Sequence, residues 1–419
     1  MKQAIRIWEW IKTVLIVLLF CSAAILSVSL ISELVSGQSL THRVGTLLGW
    51  VAPEPAYVPT GETIPAAAAP LAISMTGENG RGSTVGEPER TAQLYDTLTR
   101  QLGEALATAS LPVALEEDSW RTLFSGESVS FLYAGQVPLE ALAAWLGAQA
   151  SESLSSMRAA ELTLCIDGAR VSLLLRGEHW LCLGTAVAPQ DLRQALESCR
   201  PDGSLFAIED PSLSELDPLS LLTVRTVLPT AAAENALADG DRIDTAAALL
   251  GLNPYRDTAY TAGDGTISFT AGSGRLTVTA GGVLQYTPGE AGGLPPVEDS
   301  ATALIDAARQ LLAQLSDGLS GDASLQLASL ERSGTQVTLF FDYVLGGYAV
   351  RQRTGHAAEI VYENGALRSL TWTARCYTLT GQSETLLPAR QAAAIVPSGT
   401  RLEPVYLDSG SALRCGWPS

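Results

Sequence analysis

Histidine serves both metal binding and acid–base chemistry, and this chain of 419 residues has only three. His42 lies near the N-terminus, whereas His179 and His356 fall in different predicted domains. No His-x-x-x-His pair or His/Cys cluster is present, so the spacing does not favour zinc. A Ser-His-Asp triad would need His179 or His356, and polar strand or loop residues flank both. We interpret these two as surface or edge histidines.

The carboxylates offer two candidate clusters, the run Glu116–Asp118 and the pair Asp239 and Asp241. General acid–base work needs two carboxyl groups in a cleft with separated pKa values, which adjacent residues of a polar loop rarely achieve. Gly272 and Gly274 lie between two predicted strands, which favours a hairpin turn over a phosphate cradle at a helix start. The sequence therefore predicts no enzyme, no catalytic residue, no cofactor and no metal site.

Five cysteines follow the N-terminal segment, and none has the Cys-x-x-Cys spacing of a metal or redox site. Two of them, in the neighbouring strand-like runs ELTLCI and HWLCLG, could form a disulfide. Another two could pair if the last strands are adjacent, and the alternative is that all five are buried free thiols. In chain order the five are Cys165, Cys182, Cys199, Cys376 and Cys415.

Composition indicates an acidic protein with real cores, because 47% of the residues are hydrophobic and the formal net charge is −18. The chain is long enough for two or three domains. Its charge argues against nucleic acid and against docking onto anionic lipid or wall polymer. The simplest role of the charge is solubility.

The elements that position these residues begin with Thr13–Ile31, a run without any charged side chain. As a helix it would span about 28 Å, close to the hydrocarbon thickness of a bilayer. Lys2, Arg6 and Lys12 precede it, so the positive-inside rule places residues 1–12 in the cytoplasm and the rest outside. The sequence thus predicts a single-pass protein of the cell membrane.

A cleaved signal peptide is the main alternative for this N-terminal segment. The apolar run is longer than the usual core of such peptides, and no A-x-A-like site follows it cleanly. Within the run, Ala23 and Ser27 are four residues apart, a spacing of small residues that allows close helix–helix approach in lipid. We expect them to contact a partner helix. In a lone anchor, the serines would instead bond to their own i−4 carbonyls.

After the anchor, the order of predicted elements indicates an α+β protein, with antiparallel sheets and helices packed on them. Leucines at 94, 98, 102 and 106 repeat every four residues and predict an amphipathic helix over 87–109. The dipeptides Asp167-Gly168 and Asn364-Gly365 predict hairpin turns. The predicted segments are a stalk and Pro/Ala/Gly-rich linker at 32–86, an α+β domain at 87–212, a central domain with a β-meander at 213–290, and a C-terminal α+β domain at 291–419.

Several longer segments together resemble one known family, the YycH/YycI group, also called WalH/WalI. The string LNPY…Y…DGT…L.V…G…Y within 249–287 is the most specific of them. Apart from the anchor, the segments are VSFLYAGQVPLEALAAWLG at 129–147, SLFAIED at 204–210, LDPLSLL at 216–222, the stretch 249–287, VTLFFDYVLGGYAV at 337–350, RCYTLTG at 375–381, LLPARQAAA at 386–394 and the closing Trp417.

The resemblance implies a YycH-type regulator with three extracytoplasmic domains of mixed α/β type. It implies a partner, the sensor histidine kinase WalK (YycG) of the essential cell-wall two-component system, which the anchor helix helps to contact. It also implies a companion, since the usual companion in the family is the paralogue YycI. The part from about Ser300 resembles what the two paralogues share. A binding module for a peptide, glycan or lipid intermediate is the alternative, with a pocket near Trp145, Trp180 or Trp372.

Overall fold

The computed structural model describes residues 68–252, 258–289, 294–353, 355–410 and 412–418. Mostly antiparallel sheets and seven α-helices make this part of the chain an α+β protein, as predicted. The strands are β1 Ala72–Gly77, β2 Gly80–Ser83, β3 Val113–Leu115, β4 Ser128–Pro138, β5 Arg158–Asp167, β6 Arg170–Arg176, β7 Trp180–Gly184, β8 Leu205–Phe206, β9 Leu221–Leu222, β10 Val227–Asn235, β11 Thr258–Thr261, β12 Ile267–Ala271, β13 Gly274–Val278, β14 Val283–Thr287, β15 Ala323–Ser333, β16 Gln336–Leu345, β17 Tyr348–Gln352, β18 Ala358–Glu363, β19 Ala366–Thr373, β20 Arg375–Thr385, β21 Val405–Asp408 and β22 Leu413–Gly416. The helices are α1 Pro88–Thr108, α2 Glu117–Phe124, α3 Leu139–Trp145, α4 Pro189–Leu196, α5 Gly240–Leu249, α6 Ala301–Leu315 and α7 Ala389–Ala393.

A seven-stranded sheet with the order β2-β1-β4-β5-β6-β7-β3 forms the N-terminal half, and α1 packs against it. The predicted leucine repeat is confirmed, because Leu98, Leu102 and Leu106 are fully buried and Leu94 is half-buried. Burying each of these side chains contributes about 1.5–3 kcal/mol to the hydrophobic driving force. The apolar stripe therefore explains why α1 forms and which face it turns to the sheet.

The chain enters this sheet earlier than the sequence predicts. Residues 72–83 belong to the expected linker at 32–86, but they form the hairpin β1–β2, and β1 pairs with β4. Ile73 and Met75 on β1 are buried in the core. The linker prediction is wrong for this part, because a strand from far along the chain provides the hydrogen bonds and the burial that local composition does not reveal. Residues 32–67 lie outside the described ranges.

The C-terminal sheet has the order β11-β12-β13-β14-β19-β18-β16-β17-β21-β22, and β15 pairs with β16. The predicted Asn364-Gly365 turn is confirmed between β18 and β19, with φ of +50° and +77° at its two residues. Both values suit a two-residue hairpin whose twist matches its strands. Because β14 pairs with β19, strands on both sides of the expected boundary between residues 290 and 291 belong to one sheet.

The region 213–250 contains one α-helix, α5, and two strands, β9 and β10. Helix α5 starts at Gly240, with the Asp239 carboxylate accepting the backbone N–H of Asp241. Strand β10 was not predicted, and it pairs with the distant β20 in a two-stranded sheet. Its sequence VLPTAAAEN has no alternation of apolar and polar residues, so the periodicity that identifies most strands is missing.

The N-terminal and C-terminal sheets meet where two β-bulges, one in β4 and one in β15, contact each other. The β4–β5 register shifts between Leu132 and Val137, and the β15–β16 register shifts around Ala328. Gly135 of the β4 bulge lies so close to the Ala328 backbone that an added Cβ would overlap its carbonyl group. The Arg158 guanidinium also donates to the Leu330 carbonyl of β15. The two bulges therefore fit together only with glycine at position 135.

One hydrophobic core extends through both halves, from Leu98 and Leu162 to Leu311 and Trp372. No helix within the described ranges is long and apolar enough to span a bilayer. The predicted transmembrane segment Thr13–Ile31 lies outside these ranges, as do Ala23 and Ser27.

Candidate functional site

The two described histidines occupy unrelated positions in the fold. His179 is exposed in the turn between β6 and β7. His356 precedes β18, and its Nδ1 lies 3.0 Å from Oδ1 of Asp342 on β16. This hydrogen bond raises the pKa of His356, while partial burial opposes it. His42 lies outside the described residues. The structure places His356 as a surface histidine with a carboxylate partner.

The acidic clusters serve helix starts. Glu116 precedes α2, and Glu117 and Asp118 lie in its first turn, where Arg121 pairs with both at 2.8 and 3.2 Å. Negative charge at a helix N-terminus interacts favourably with the helix dipole, so these carboxylates stabilise α2. The described residues contain no group of three or more His, Cys, Asp or Glu side chains placed to hold a metal ion.

The three tryptophans expected near a pocket lie in packed surroundings instead. Trp145 donates its indole N–H to Asp306 at 2.8 Å. Trp372 is fully buried and donates to the Tyr343 hydroxyl at 3.0 Å. Trp180 packs against Trp120 with ring centroids 4.5 Å apart and the ring planes tilted by 44°. None of the three lines the cavity described below. The expectation of a binding pocket beside these tryptophans finds no support.

The five described cysteines are free thiols. Cys165 on β5 and Cys182 on β7 lie on strands separated by β6, so the first of the two possible disulfides does not form. Burial raises the pKa of the Cys165 thiol to about 12 and that of Cys415 to about 11. Thiols with pKa values this high are poor nucleophiles at neutral pH.

A series of contacting side chains with alternating charge extends from the C-terminal sheet to the N-terminal sheet. Arg351 on β17 contacts Asp342 at 3.4 Å and Glu403 at 2.9 Å. Glu403 lies 3.9 Å from Arg401, and Arg401 in turn contacts Glu161 of β5 at 3.3 Å. Asp342 and Glu161 are almost completely buried at the two ends, whereas the arginines are partly exposed. This series links a surface of the C-terminal sheet to the interior of the N-terminal sheet.

Glu161 is the most unusual group in this series. Burial raises its pKa to about 7, although Arg401, Arg81 and Arg176 oppose the shift. The negative charge of nearby Asp217 also raises the pKa of Glu161, by less than burial does. One carboxylate oxygen, Oε1, is buried without a hydrogen-bond partner among the described residues. The carboxyl group therefore changes its charge near neutral pH.

A second buried ion pair lies behind the same surface. Arg375 of β20 contacts Asp408 of β21 at 3.0 Å, and the two side chains are 6% and 3% exposed. Tyr377 donates its hydroxyl to Asp408 at 2.7 Å, and the backbone N–H of Gly410 donates at 2.7 Å. Arg375 also donates to the Gly410 carbonyl at 2.9 Å. These contacts satisfy both charges and fix the position of β21 relative to β20.

An arginine-lined cavity of about 900 Å³ opens at the end of β17, β21 and β22. The charged residues that line it are Arg351, Arg353, Arg401, Arg414, Glu403 and Asp408. Four guanidinium groups against two carboxylates make the cavity positive, although the whole chain has a formal charge of −18. Such a site can hold an anion through charge-assisted hydrogen bonds.

Sequence reasoning did not identify these arginines, because Arg351 and Arg353 lie 48 or more residues before Arg401 and Arg414 in the chain. Only the parallel pairing of β17 with β21 and the hairpin β21–β22 bring Arg351 and Arg414 to one surface. The Arg351-x-Arg353 spacing was the single local signal.

Compared with models of known families and with curated proteins, the chain gives no match.

Proposed function

We propose that this chain is a membrane-anchored regulator of the YycH type, which biases a WalK-like (YycG-like) sensor histidine kinase between two signalling states. The observation that carries the proposal is the uncharged run Thr13–Ile31 at the head of an acidic α+β body. The anchor would place the N-terminus in the cytoplasm and the body outside the membrane. The protein would act by contact rather than by catalysis.

The physical requirement is a differential contact. The anchor and the body must bind one kinase conformation better than the other, and a difference of about 1–3 kcal/mol changes signalling output several-fold. The continuous core and the interlocked bulges support this role, because a change on the outer surface of one half is carried through packed structure. The family's usual companion, a YycI-like paralogue, would be a second partner.

The direct test is to replace the small residues Ala23 and Ser27 of the anchor by larger apolar ones. Ala23→Leu with Ser27→Leu would block close approach of a partner helix while keeping the segment apolar. We expect weaker co-purification of the sensor kinase with the variant and altered output of a kinase-dependent reporter. Membrane insertion, measured by fractionation and protease protection, would be unchanged.

The matched control is Ser22→Leu with Ser29→Leu. On a helix these two positions share a face more than about 100° from the Ala23 and Ser27 stripe, and the volume added is similar. Equal loss of kinase in both double variants, or no loss in either, would contradict a specific contact through Ala23 and Ser27.

The second candidate function is a membrane-tethered module that binds a cell-envelope ligand. The arginine-lined cavity favours it, because an acidic protein needs a local concentration of positive charge to hold an anion. A secreted version lacking residues 1–31 separates the two candidates. Rescue of a deletion strain by this version would favour the binding module, whereas failure of a stable, folded version would favour the anchor contact.

A further inference from the structure

The arginine-lined cavity has an ordered floor. Arg351, Leu407 and Arg414 lie side by side across β17, β21 and β22, because Arg351 pairs with Leu407 and Leu407 pairs with Arg414. Residues paired across neighbouring strands project from the same face of a sheet. The floor therefore consists of an apolar side chain between two guanidinium groups.

Two of the arginines have charges that no carboxylate among the described residues neutralises. Arg351 is occupied by Asp342 and Glu403, and Arg401 is occupied by Glu161 and Glu403. Arg353 and Arg414, by contrast, are exposed and form no ion pair within the described part of the chain.

The two carboxylates of the cavity do not cancel this charge. Asp408 is directed to Arg375, Tyr377 and the Gly410 backbone behind the sheet. Glu403 bridges Arg351 and Arg401. Two guanidinium groups thus remain for a ligand, which matches the charge of a phosphate dianion and its several acceptor oxygens.

The cavity also has an apolar component. Leu407 is 36% exposed at the centre of the floor, and Ala412 and Pro418 belong to the same lining. A volume of about 900 Å³ exceeds what an inorganic ion needs and lies within the range of small-molecule pockets.

We propose that the arginine-lined cavity binds a phosphate monoester attached to an apolar chain, with Arg353 and Arg414 holding the phosphate and Leu407 contacting the chain. The inference rests on the second proposed function and names the ligand chemistry for it. It is independent of the kinase contact, because binding is measured without a kinase. A phospholipid headgroup and a soluble phosphoester share this chemistry.

The test is calorimetric titration of n-butyl phosphate into the full chain held in phosphatidylcholine nanodiscs, with empty nanodiscs as the blank. We expect saturable binding that is at least about threefold tighter than that of inorganic phosphate, since the butyl group buries apolar surface on Leu407. Arg353→Gln with Arg414→Gln should weaken binding by about tenfold or more, because each removes charge-assisted hydrogen bonds.

The control is Arg170→Gln with Arg275→Gln, which removes two exposed strand arginines outside the cavity and changes the net charge equally. Absence of saturable binding, or equal weakening in both double variants, would overturn the proposal. Leu407→Ala should abolish the advantage of butyl phosphate over inorganic phosphate, and an advantage that persists would remove the assigned role of Leu407.

A final arm identifies the source of the ligand. Nanodiscs that contain phosphatidic acid are compared with phosphatidylcholine nanodiscs in the butyl phosphate titration. Competition by phosphatidic acid supports the proposal with a lipid as the ligand, and undiminished butyl phosphate binding supports it with a soluble phosphoester. In either case the failure or success of the anchor experiment is unaffected.

Discussion

At the scale of single residues, Glu161 connects the fold to the pH of the surroundings. Its folded-state pKa of about 7 lies above the ordinary value of 4.5, so the folded protein binds this proton more tightly than the unfolded chain does. The free energy of unfolding should therefore fall as pH rises from about 4.5 to about 7, and this contribution is lost above that range. The shift corresponds to about 3 kcal/mol.

Glu161→Gln should remove this dependence. The free energy of unfolding of the variant, relative to wild type, should rise by up to about 3 kcal/mol between pH 5 and pH 8, because glutamine pays no charge-burial cost. Urea unfolding of the full chain in detergent at several pH values measures the difference. Glu331→Gln, at an exposed position on β15, is the control and should follow wild type. A pH-independent difference for Glu161→Gln would contradict the assignment.

At the scale of elements, Gly135 in the β4 bulge determines how the two large sheets join. Gly135→Ala forces a Cβ into the Ala328 carbonyl group, so the bulges must separate or shift. We expect a loss of about 2–4 kcal/mol in the free energy of unfolding, as for other overpacked sites with backbone movement.

Gly177→Ala is the matched control for this change, because an added Cβ there meets no atom within 4 Å and φ is not positive. Denaturant unfolding of both variants gives the comparison. Similar stability for Gly135→Ala and Gly177→Ala would show that the bulge contact does not need glycine.

Elements with a strong local pattern were predictable from the sequence. The four-residue repeat in α1 buries the predicted face, and the apolar stripe of Leu304, Ala308, Leu311 and Leu315 in α6 is buried in the same way. Strands β1 and β10 were not predictable, because their sequences are rich in small residues and they become strands only beside β4 and β20. Pairing between distant segments provides what their own side chains do not signal.

At the scale of the whole molecule, the expected boundary near residue 290 lies within one packed unit. Strand β14 pairs with β19, β10 pairs with β20, and the core extends across the boundary. The arginine-lined cavity depends on the same long-range topology, since β17 and β21 pair in parallel across more than 50 residues. Spacing in the sequence therefore reveals the elements of this site but not their assembly.

Cleavage near this boundary tests the unity of the body. A protease site replacing residues 290–293 should give two fragments that co-elute in size-exclusion chromatography and separate only in urea, because strand pairing and core contacts hold them together. The uncut protein with the same insertion is the control. Fragments that separate without denaturant would indicate two independent domains.

The order of β20, β21 and β22 along the chain also sets the order in which the cavity is assembled during biosynthesis. Arg375 emerges from the ribosome more than 30 residues before Asp408, and the cavity lacks Arg414 until β22 follows. Folding proceeds from the N-terminus during synthesis, so the N-terminal sheet can form before the C-terminal sheet gains β21 and β22 and the cavity is complete. Loss of β22 alone would thus remove Arg414 from the cavity, whereas loss of β21 as well would leave the buried Arg375 without Asp408 and remove the buried Val405 and Tyr406.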